Sequence, residues 1–194
     1  MNSKPAQEIH WPVTATPPPT CSALKYNTRA DVVIIGGGLT GCRTALGLAD
    51  AGLSVALLEA QDIGWGASGR SGGQCNPVWR QTPEELATLF GQARAERLVN
   101  TTLSAADDLF KDIEHYGVEC DAVQNGWVQA AHTRKSRRSL ERLHAAWTQA
   151  GARIDLLEGE QVQSMSGSPA YGFALFHQAG GHVHPLSLTR GYAR

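Results

Sequence analysis

The 194-residue sequence predicts an α/β fold, and three features in its first 80 positions carry that prediction. An apolar run over residues 30–35 leads directly into glycines spaced G-x-G-x-x-G. A stretch of small residues with helical length follows, and then a second apolar run over 54–58. A glycine-dense loop occupies residues 64–74. The first two features predict a strand, a helix and a second strand in one β-α-β unit.

Each glycine of the first motif has its own physical reason to be there. Gly36 permits a tight exit from the strand, Gly38 lets the backbone approach a pyrophosphate, and Gly41 lets the following helix pack close to the sheet. Open N–H groups at the start of that helix, at Leu39 and Thr40, would then face a diphosphate. The motif therefore predicts a Rossmann-like dinucleotide-binding turn.

Glu59 ends the second strand, 18 residues after Gly41. An acid at this place in the motif accepts hydrogen bonds from both hydroxyls of an adenosine ribose, and its charge repels a 2′-phosphate. NADP is therefore disfavoured. The same residues also allow a plainer interpretation, in which the glycines serve packing alone and Glu59 is merely solvated.

Composition excludes several classes of function. The formal net charge of −1 gives no electrostatic footprint for nucleic acid or an anionic membrane. No segment approaches the ~20 apolar residues of a membrane-spanning helix. The four cysteines show neither CxxC pairs nor zinc-binding spacing, which predicts a reduced, cytoplasmic setting without a metal centre. Residues 1–29 are rich in proline and predict an extended arm, and the sequence leaves open whether Trp11 packs on the body of the fold.

The rest of the chain predicts a helical and β-hairpin region over 81–182, after a nucleotide-binding part over 30–80 and before a return segment over 183–194. Thr82, Pro83 and Glu85 form a capping-box sequence that begins a helical region interrupted near Gly91. Asn125-Gly126 predicts a type I′ hairpin. Further elements are expected as a helix over 133–150, a strand over 153–157, a short helix over 158–165, a strand pair formed by 171–176 and 181–184, and a helix from Pro185.

His182 and His184 are two positions apart and would share a face on a strand. Three interpretations stay open for them: a metal-binding pair, a substrate-side general base or hydrogen-bonding group, and a structural turn into the last helix. No residue is identified as catalytic.

The sequence resembles the FAD-dependent amine and amino-acid oxidoreductases of the D-amino-acid oxidase and glycine oxidase superfamily, and within it the gamma-glutamylputrescine oxidoreductases. The resemblance is carried by the first glycine motif, Glu59, residues 64–74 and residues 180–186. The resemblance runs from about Trp11 to the last residue and covers about the first half of a family member. The family pattern in the second loop is GASGRNGGQ, and this chain has Ser71 where asparagine is usual. Serine is also small and able to hydrogen-bond locally, so we expect the loop to keep its form.

The resemblance implies a role for each part of the second loop. Residues expected along the ribityl and pyrophosphate groups of FAD are Ala67, Ser68, Gly69 and Arg70, and those expected beside the isoalloxazine ring are Gly72, Gly73 and Gln74. Arg70 either stabilises phosphate or reduced-flavin charge or is a surface arginine paired with a carboxylate. Ser68 is either a phosphate donor or a loop-forming residue.

The family's chemistry implies oxidation of a small-molecule amine, a gamma-glutamylputrescine-like compound or an amino acid, by hydride transfer to flavin N5 and hydrolysis of the resulting imine. No side-chain nucleophile is required. A doubly wound sheet needs more parallel strands than this chain offers, so the chain is expected to be the N-terminal part of a longer protein. Two alternatives stay open: an NAD-binding dehydrogenase and a non-catalytic nucleotide-binding remnant.

Overall fold

The computed structural model describes residues 10–194, which divide into two compact units. The first unit consists of the described chain up to Gly73, Asp112–Ala122 and Val183–Arg194, and the second of Gln74–Lys111 and Val123–His182. The helices are α1 (Trp11–Thr14), α2 (Leu39–Asp50), α3 (Pro83–Phe90), α4 (Gln92–His115), α5 (Arg134–Gln149), α6 (Glu160–Ser166) and α7 (Pro185–Gly191). The strands are β1 (Val32–Ile35), β2 (Val55–Leu58), β3 (Gln74–Cys75), β4 (Trp127–Ala130), β5 (Ile154–Glu158), β6 (Phe173–His177) and β7 (Gly181–His182).

The first unit contains the predicted β-α-β unit. β1 and β2 pair in parallel, with Val32 opposite Val55 and Ile35 opposite Leu58. Their N-terminal ends are joined by Asp31, whose carboxylate accepts hydrogen bonds from the backbone N–H and hydroxyl of Ser54 at 2.9 and 2.7 Å. The prediction of a strand, a helix and a parallel strand is confirmed.

The second unit is built on an antiparallel sheet with strand order β4-β6-β5. Trp147 of α5 is fully buried, and its indole N–H donates to the carbonyl of Gln81 at 3.1 Å. The buried residues of the core are Leu86, Ala95, Ala131, Leu140, Leu143, Trp147, Ile154, Phe173 and Leu175.

Helices α3 and α4 confirm the predicted capping box and the predicted break. Thr82 Oγ1 accepts from the N–H of Glu85, and the carboxylate of Glu85 accepts from the N–H of Thr82. Gly91 separates the two helices with a positive φ of 79°. Both features depend on residues close together in sequence, which is why they could be predicted.

Two predicted strand pairings are wrong. Asn125-Gly126 does not form a type I′ turn, because that turn needs positive φ at both residues and Asn125 does not have it. Val123 instead bridges to His182, and Trp127 pairs with His177 of β6. The predicted pair of 171–176 with 181–184 is also absent, since β7 pairs with β3 while β6 lies between β4 and β5.

Two segments contain more regular structure than the sequence indicated. The glycine-dense loop includes a 3₁₀ helix, Ala67–Arg70, and ends in strand β3. The arm predicted as extended contains one helical turn, α1, in which Pro12 occupies the first turn as proline tolerates. The first nine residues of that predicted arm lie outside the described part of the chain.

His177 on β6 is the least satisfied polar side chain of the second unit. It is 1% exposed, and neither ring nitrogen has a hydrogen-bond partner within residues 10–194. Its ring lies 5.0 Å from that of Trp127, and it lines a small cavity of about 30 Å³. Burial lowers the pKa of His177 to about 4, because the charged imidazolium is poorly solvated there.

The close approach of α2 to the turn after β1 predicts opposite effects for two alanine substitutions on one helix. A Cβ at Gly41 would collide with the carbonyl oxygen of Gly36, whereas one at Gly47 would lie 3.0 Å from Nη1 at the end of the long Arg43 side chain and near no other group. Gly41→Ala should lower the free energy of unfolding by about 1–3 kcal/mol. Gly47→Ala should raise it by up to ~1 kcal/mol through helix propensity. Denaturant unfolding of both variants checks this, and equal effects would refute the close approach.

The buried His177 predicts a pH dependence of stability. Since its pKa is about 4 in the folded chain and about 6.5 when unfolded, the unfolded chain binds more protons between these values. The contribution of neutral His177 to the free energy of unfolding is complete above about pH 6.5. As the pH falls to 4, the free energy of unfolding should drop by up to about 3 kcal/mol. His177→Phe should remove that part of the decline without loss of stability at pH 7.

The matched control is His132→Phe, which changes an exposed histidine of the same unit. It should leave the pH profile of the unfolding free energy as in the unmodified chain. If both variants kept the same profile, His177 would not be the titrating group.

Candidate functional site

The turn after β1 is held tightly and leaves its backbone open. Gly36 has φ of +110°, which side-chain-bearing residues rarely adopt, and its N–H donates to the carbonyl of Leu58 at 2.8 Å. Gly38 is the N-cap of α2 in an extended conformation. The Cβ position of Gly36 faces open space, so the turn presents bare backbone.

The N-terminus of α2 offers two unused hydrogen-bond donors. The N–H of Leu39 is not open as predicted, because it donates to the hydroxyl oxygen of Ser68 at 2.9 Å. The N–H groups of Thr40 and Gly41 have no acceptor among residues 10–194. With the positive end of the helix dipole, these amides form a place where an anionic group would be stabilised.

Glu59 lies beside this helix end and is held by the backbone. Its two carboxylate oxygens accept from the N–H groups of Gln61 at 2.9 Å and Gly37 at 2.7 Å. Those hydrogen bonds, first from Gln61 and then from Gly37, lower the pKa of Glu59 below its ordinary value. Each oxygen keeps a free lone pair, so the ionised carboxylate can still accept from two hydroxyl groups.

An open cleft of about 820 Å³ adjoins Glu59, within the range of cofactor-binding pockets. It is lined by β2, by Gln61, Asp62 and Ile63, and by parts of the segment from Pro18 to Thr28. The carboxylate thus stands at the edge of a cleft large enough for a nucleoside.

The second glycine loop is tied to the first by two hydrogen bonds. The N–H of Gly64 donates to the carbonyl of Gly37 at 2.9 Å, and Ser68 accepts from Leu39. Ser68 thus contributes to forming the loop by capping α2 with its hydroxyl oxygen, and that Oγ would lie 3.0 Å from a Cβ built on Gly38. The structure brings the two predicted loops together at one helix end.

Glycines of the second loop meet other backbone where a side chain would not fit. A Cβ at Gly69 would strike the carbonyl oxygen of Gly64, and it would lie 3.0 Å from Leu186 of α7. The Cβ positions of Gly66 and Gly72 face open space instead. One set of glycines therefore serves packing, and the other leaves backbone exposed.

Arg70 is exposed and engaged locally. Its Nε donates to the carbonyl of Trp65 at 3.1 Å, and its guanidinium lies 5.6 Å from the centre of the Trp65 ring. The alternative of an ion pair does not hold within residues 10–194, where no carboxylate lies within reach of Arg70. Its terminal nitrogens remain available to an anion.

The end of the second loop packs against the return segment. Ser71 Oγ accepts from the N–H of Gly73 at 3.4 Å, a long local hydrogen bond of the kind expected of serine at this position. Gly73, with φ of +70°, packs against the carbonyl of Val183. Gln74 belongs to the second unit, where it pairs with His182.

His182 and His184 differ in exposure and in their elements. His182 is exposed, whereas His184 is 4% exposed and is the N-cap of α7. His184 Nδ1 accepts from the N–H of Ser187 at 3.2 Å. Within the described residues no group of three or more potential metal-binding side chains occurs. The structural interpretation therefore holds for His184.

Sequence reasoning missed Gly37 and Leu186. Gly37 lies between the fingerprint glycines, yet its N–H holds Glu59 and its carbonyl holds Gly64. Leu186 fills the space left by Gly64 and Gly69. The run of three glycines was a sign that could have identified Gly37. Leu186 lies in the 180–186 segment quoted for the resemblance, but that pattern does not indicate its packing against Gly64 and Gly69.

Comparisons with known proteins agree with this geometry. The model of the DAO family, described as FAD dependent oxidoreductase, matches residues 31–194. Gamma-glutamylputrescine oxidoreductase of Escherichia coli is 33% identical over 171 residues, which are 88% of this chain and 40% of that protein. Glycine oxidase of Bacillus licheniformis is 26% identical over 86% of this chain and 42% of its own length.

Solved structures share the fold. L-amino acid deaminase of Proteus vulgaris superposes with a TM-score of 0.71 at 20% identity, covering 92% of this chain and 44% of that one. Glycine oxidase of Bacillus cereus gives a TM-score of 0.63 at 24% identity, covering 85% and 43%.

The chain spans about two fifths of the length of the curated relatives it matches. Within residues 10–194, the structure contains no helix with both the length and the apolar character needed to cross a bilayer. The predicted likeness to the gamma-glutamylputrescine oxidoreductases is confirmed. By its two joined glycine loops and its match over residues 31–194, this chain belongs to the DAO family of FAD-dependent oxidoreductases.

Proposed function

We propose that the first unit binds the ADP part of FAD and that the complete protein oxidises a small-molecule amine. The observation that carries the proposal is the junction of the two glycine loops at the open N-terminus of α2. Free amides of Thr40 and Gly41, bare backbone at Gly36 and an ionised Glu59 lie around that junction. A diphosphate and a ribose are the groups that such donors and acceptors fit.

Each residue has a definite task in this proposal. The amides of Thr40 and Gly41 would donate to the diphosphate, and Glu59 would accept from the ribose hydroxyls. Arg70 keeps terminal donors free for an anion beyond the helix end. Ser68 accepts from Leu39 to join the loops, and its O–H would remain free to donate to the diphosphate. The remaining assignments, Ala67, Gly69, Ser71, Gly72, Gly73 and Gln74, stay proposals based on the family resemblance.

The chemistry of the proposed reaction is supplied by the cofactor, since FAD accepts a hydride equivalent from the carbon beside an amine. The protein has to bind the ADP part firmly, orient the substrate and keep its amine neutral, which burial favours. The names of gamma-glutamylputrescine oxidoreductase and glycine oxidase support an amine or amino acid as substrate. A substrate-side role for residues 81–182 and a cytoplasmic setting belong to the same proposal.

The face of β1 that is left uncovered supports the proposal of a longer complete protein. Ile35 is 87% and Val33 56% exposed, on a sheet of only two strands. Exposed neighbouring apolar residues on an unpaired strand edge are unfavourable in water. We propose that in the complete protein further strands pair with the free edge of β1 and that the segments connecting them cover this face, as in a doubly wound sheet.

The alternatives give different ligand preferences. An NAD-binding dehydrogenase would need the first loop alone, whereas the joined second loop supports FAD. A non-catalytic remnant would bind neither cofactor. Visible absorption separates them, because a chain that retains oxidised FAD is yellow.

A valine at Gly38 tests the site directly. The backbone at Gly38 is extended, so valine fits the conformation, but its Cβ would lie 3.0 Å from Ser68 Oγ and its methyl groups would occupy the bare surface of the turn. Gly38→Val should abolish FAD retention after gel filtration. Gly172→Val is the matched control, since Gly172 is exposed, has no positive φ and has open space at its Cβ. Equal flavin content in both variants would contradict the site.

The charge of Glu59 predicts a preference among adenine nucleotides. Glu59→Gln keeps a hydrogen-bond acceptor and removes the charge that repels a 2′-phosphate. Glu59→Gln should narrow the preference for ADP over 2′-phospho-ADP by roughly tenfold, the size of one close charge pair near a protein surface. Isothermal titration with both nucleotides measures it, with Glu119→Gln as the control at an exposed carboxylate of the same unit. An unchanged ratio in Glu59→Gln would remove the carboxylate from the ribose site.

A further inference from the structure

The segment from Trp11 to Pro17, called the strap below, is bound along its length by the first unit. Thr16 donates its N–H to Ser187 Oγ at 3.0 Å, and its carbonyl accepts from Arg190 at 2.6 Å. The carbonyl of Pro17 accepts from Arg194 at 2.9 Å. Arg190 of α7 and Arg194, which follows that helix, thus hold the C-terminal end of the strap.

The N-terminal end of the strap reaches the second glycine loop. The indole N–H of Trp11 donates to the carbonyl of Ser71 at 2.9 Å. The Trp11 ring meets the His184 ring edge to face, with 4.8 Å between centres and 61° between planes. One side chain therefore contacts both the second loop and the start of α7.

His184 also contacts the strap through a hydrogen bond to Thr14. Because its Nδ1 accepts from Ser187, the neutral ring carries its proton on Nε2, which lies 3.1 Å from Thr14 Oγ1 and donates to it. The imidazole is buried between α7 and the strap. The strap, His184 and the second loop form one hydrogen-bonded set.

The second loop needs such an external hold. Ser71 is followed by Gly72 and Gly73, which have high backbone freedom, and the local hydrogen bond from Gly73 to Ser71 Oγ is long at 3.4 Å. No other hydrogen bond to the Ser71 carbonyl is present among residues 10–194. The carbonyl of Gly73 accepts from the N–H of Val183 at 2.9 Å, and Trp11 adds a contact two residues earlier, at Ser71.

We propose that the strap positions the second glycine loop for FAD and slows release of the cofactor, with Trp11 as the positioning residue. This proposal rests on the proposed FAD site. Ordering the loop before binding lowers the entropy that binding has to remove, so the strap strengthens retention without touching the cofactor. The proposal thus assigns a role to residues that precede the first glycine motif.

The test compares Trp11→Phe with Trp79→Phe. Both tryptophans donate one indole N–H, in Trp79 to Thr102 Oγ1 at 2.8 Å in the second unit, so the substitutions remove the same kind of bond. Trp11→Phe should release FAD roughly three- to tenfold faster, as expected for the loss of one hydrogen bond. Trp79→Phe should release it at the rate of the unmodified chain.

A second measurement uses the FAD-free chain. Hydrogen exchange at the amides of Gly72 and Gly73 should be faster in Trp11→Phe and unchanged in Trp79→Phe. The visible circular dichroism of bound FAD should also differ only in Trp11→Phe, because a loss of stability alone would leave that spectrum unchanged. Arg194→Gln, which removes the contact with Pro17 at the other end of the strap, should accelerate exchange at the same amides to a smaller extent, since Arg190 still holds Thr16.

The outcomes separate this proposal from the proposed function. An unmodified chain that takes up no FAD overturns the proposed function and the cofactor role of the strap with it. A chain that binds FAD but shows equal release and equal exchange in Trp11→Phe and Trp79→Phe overturns the strap alone.

Discussion

The site depends on the hydrogen-bonded junction between two loops that are distant in sequence and poor in side chains. Gly37 is its centre, because its N–H holds Glu59 and its carbonyl holds Gly64. Ser68 adds a second connection by accepting from Leu39. With these bonds in place, the free amides of α2, an ionised carboxylate and exposed backbone occupy one small region. Without them, each loop would be an isolated glycine-rich turn with little reason to bind an anion.

The junction explains why glycine occurs at so many positions here and why the reasons differ. Gly41 and Gly69 leave no room for a Cβ because another backbone carbonyl is already there. Gly66 and Gly72 have open space, so their lack of a side chain matters only to something that approaches from outside. Packing glycines set the stability of the first unit, and open glycines make its surface accessible. A substitution of each kind therefore has a different consequence.

Sequence reasoning succeeded where the deciding interactions are local. The β-α-β unit follows from periodicity and spacing, and the capping box of α3 follows from Thr82 and Glu85 three residues apart. It failed where the partner is distant. Gly126 lies against Phe176 and donates its N–H to Gly180, so the conformation of this turn depends on β6 and on the residue before β7. The pairing of β7 with Gln74 could not be predicted either, because its two strands are distant in sequence. In the site, the residue types were predictable from the sequence, but the hydrogen bond from Leu39 to Ser68 was not, because the two residues are distant in sequence.

The most direct test of the junction is an amide NMR titration of the chain with ADP, the part of the cofactor that the first unit is proposed to hold. The account predicts saturable shifts at the amides of Thr40 and Gly41 and, at the same ADP concentrations, at Ser68 and Gly69, because one ligand would contact a single joined surface. Shifts confined to one loop, or appearing elsewhere while both loops stay unchanged, would contradict it.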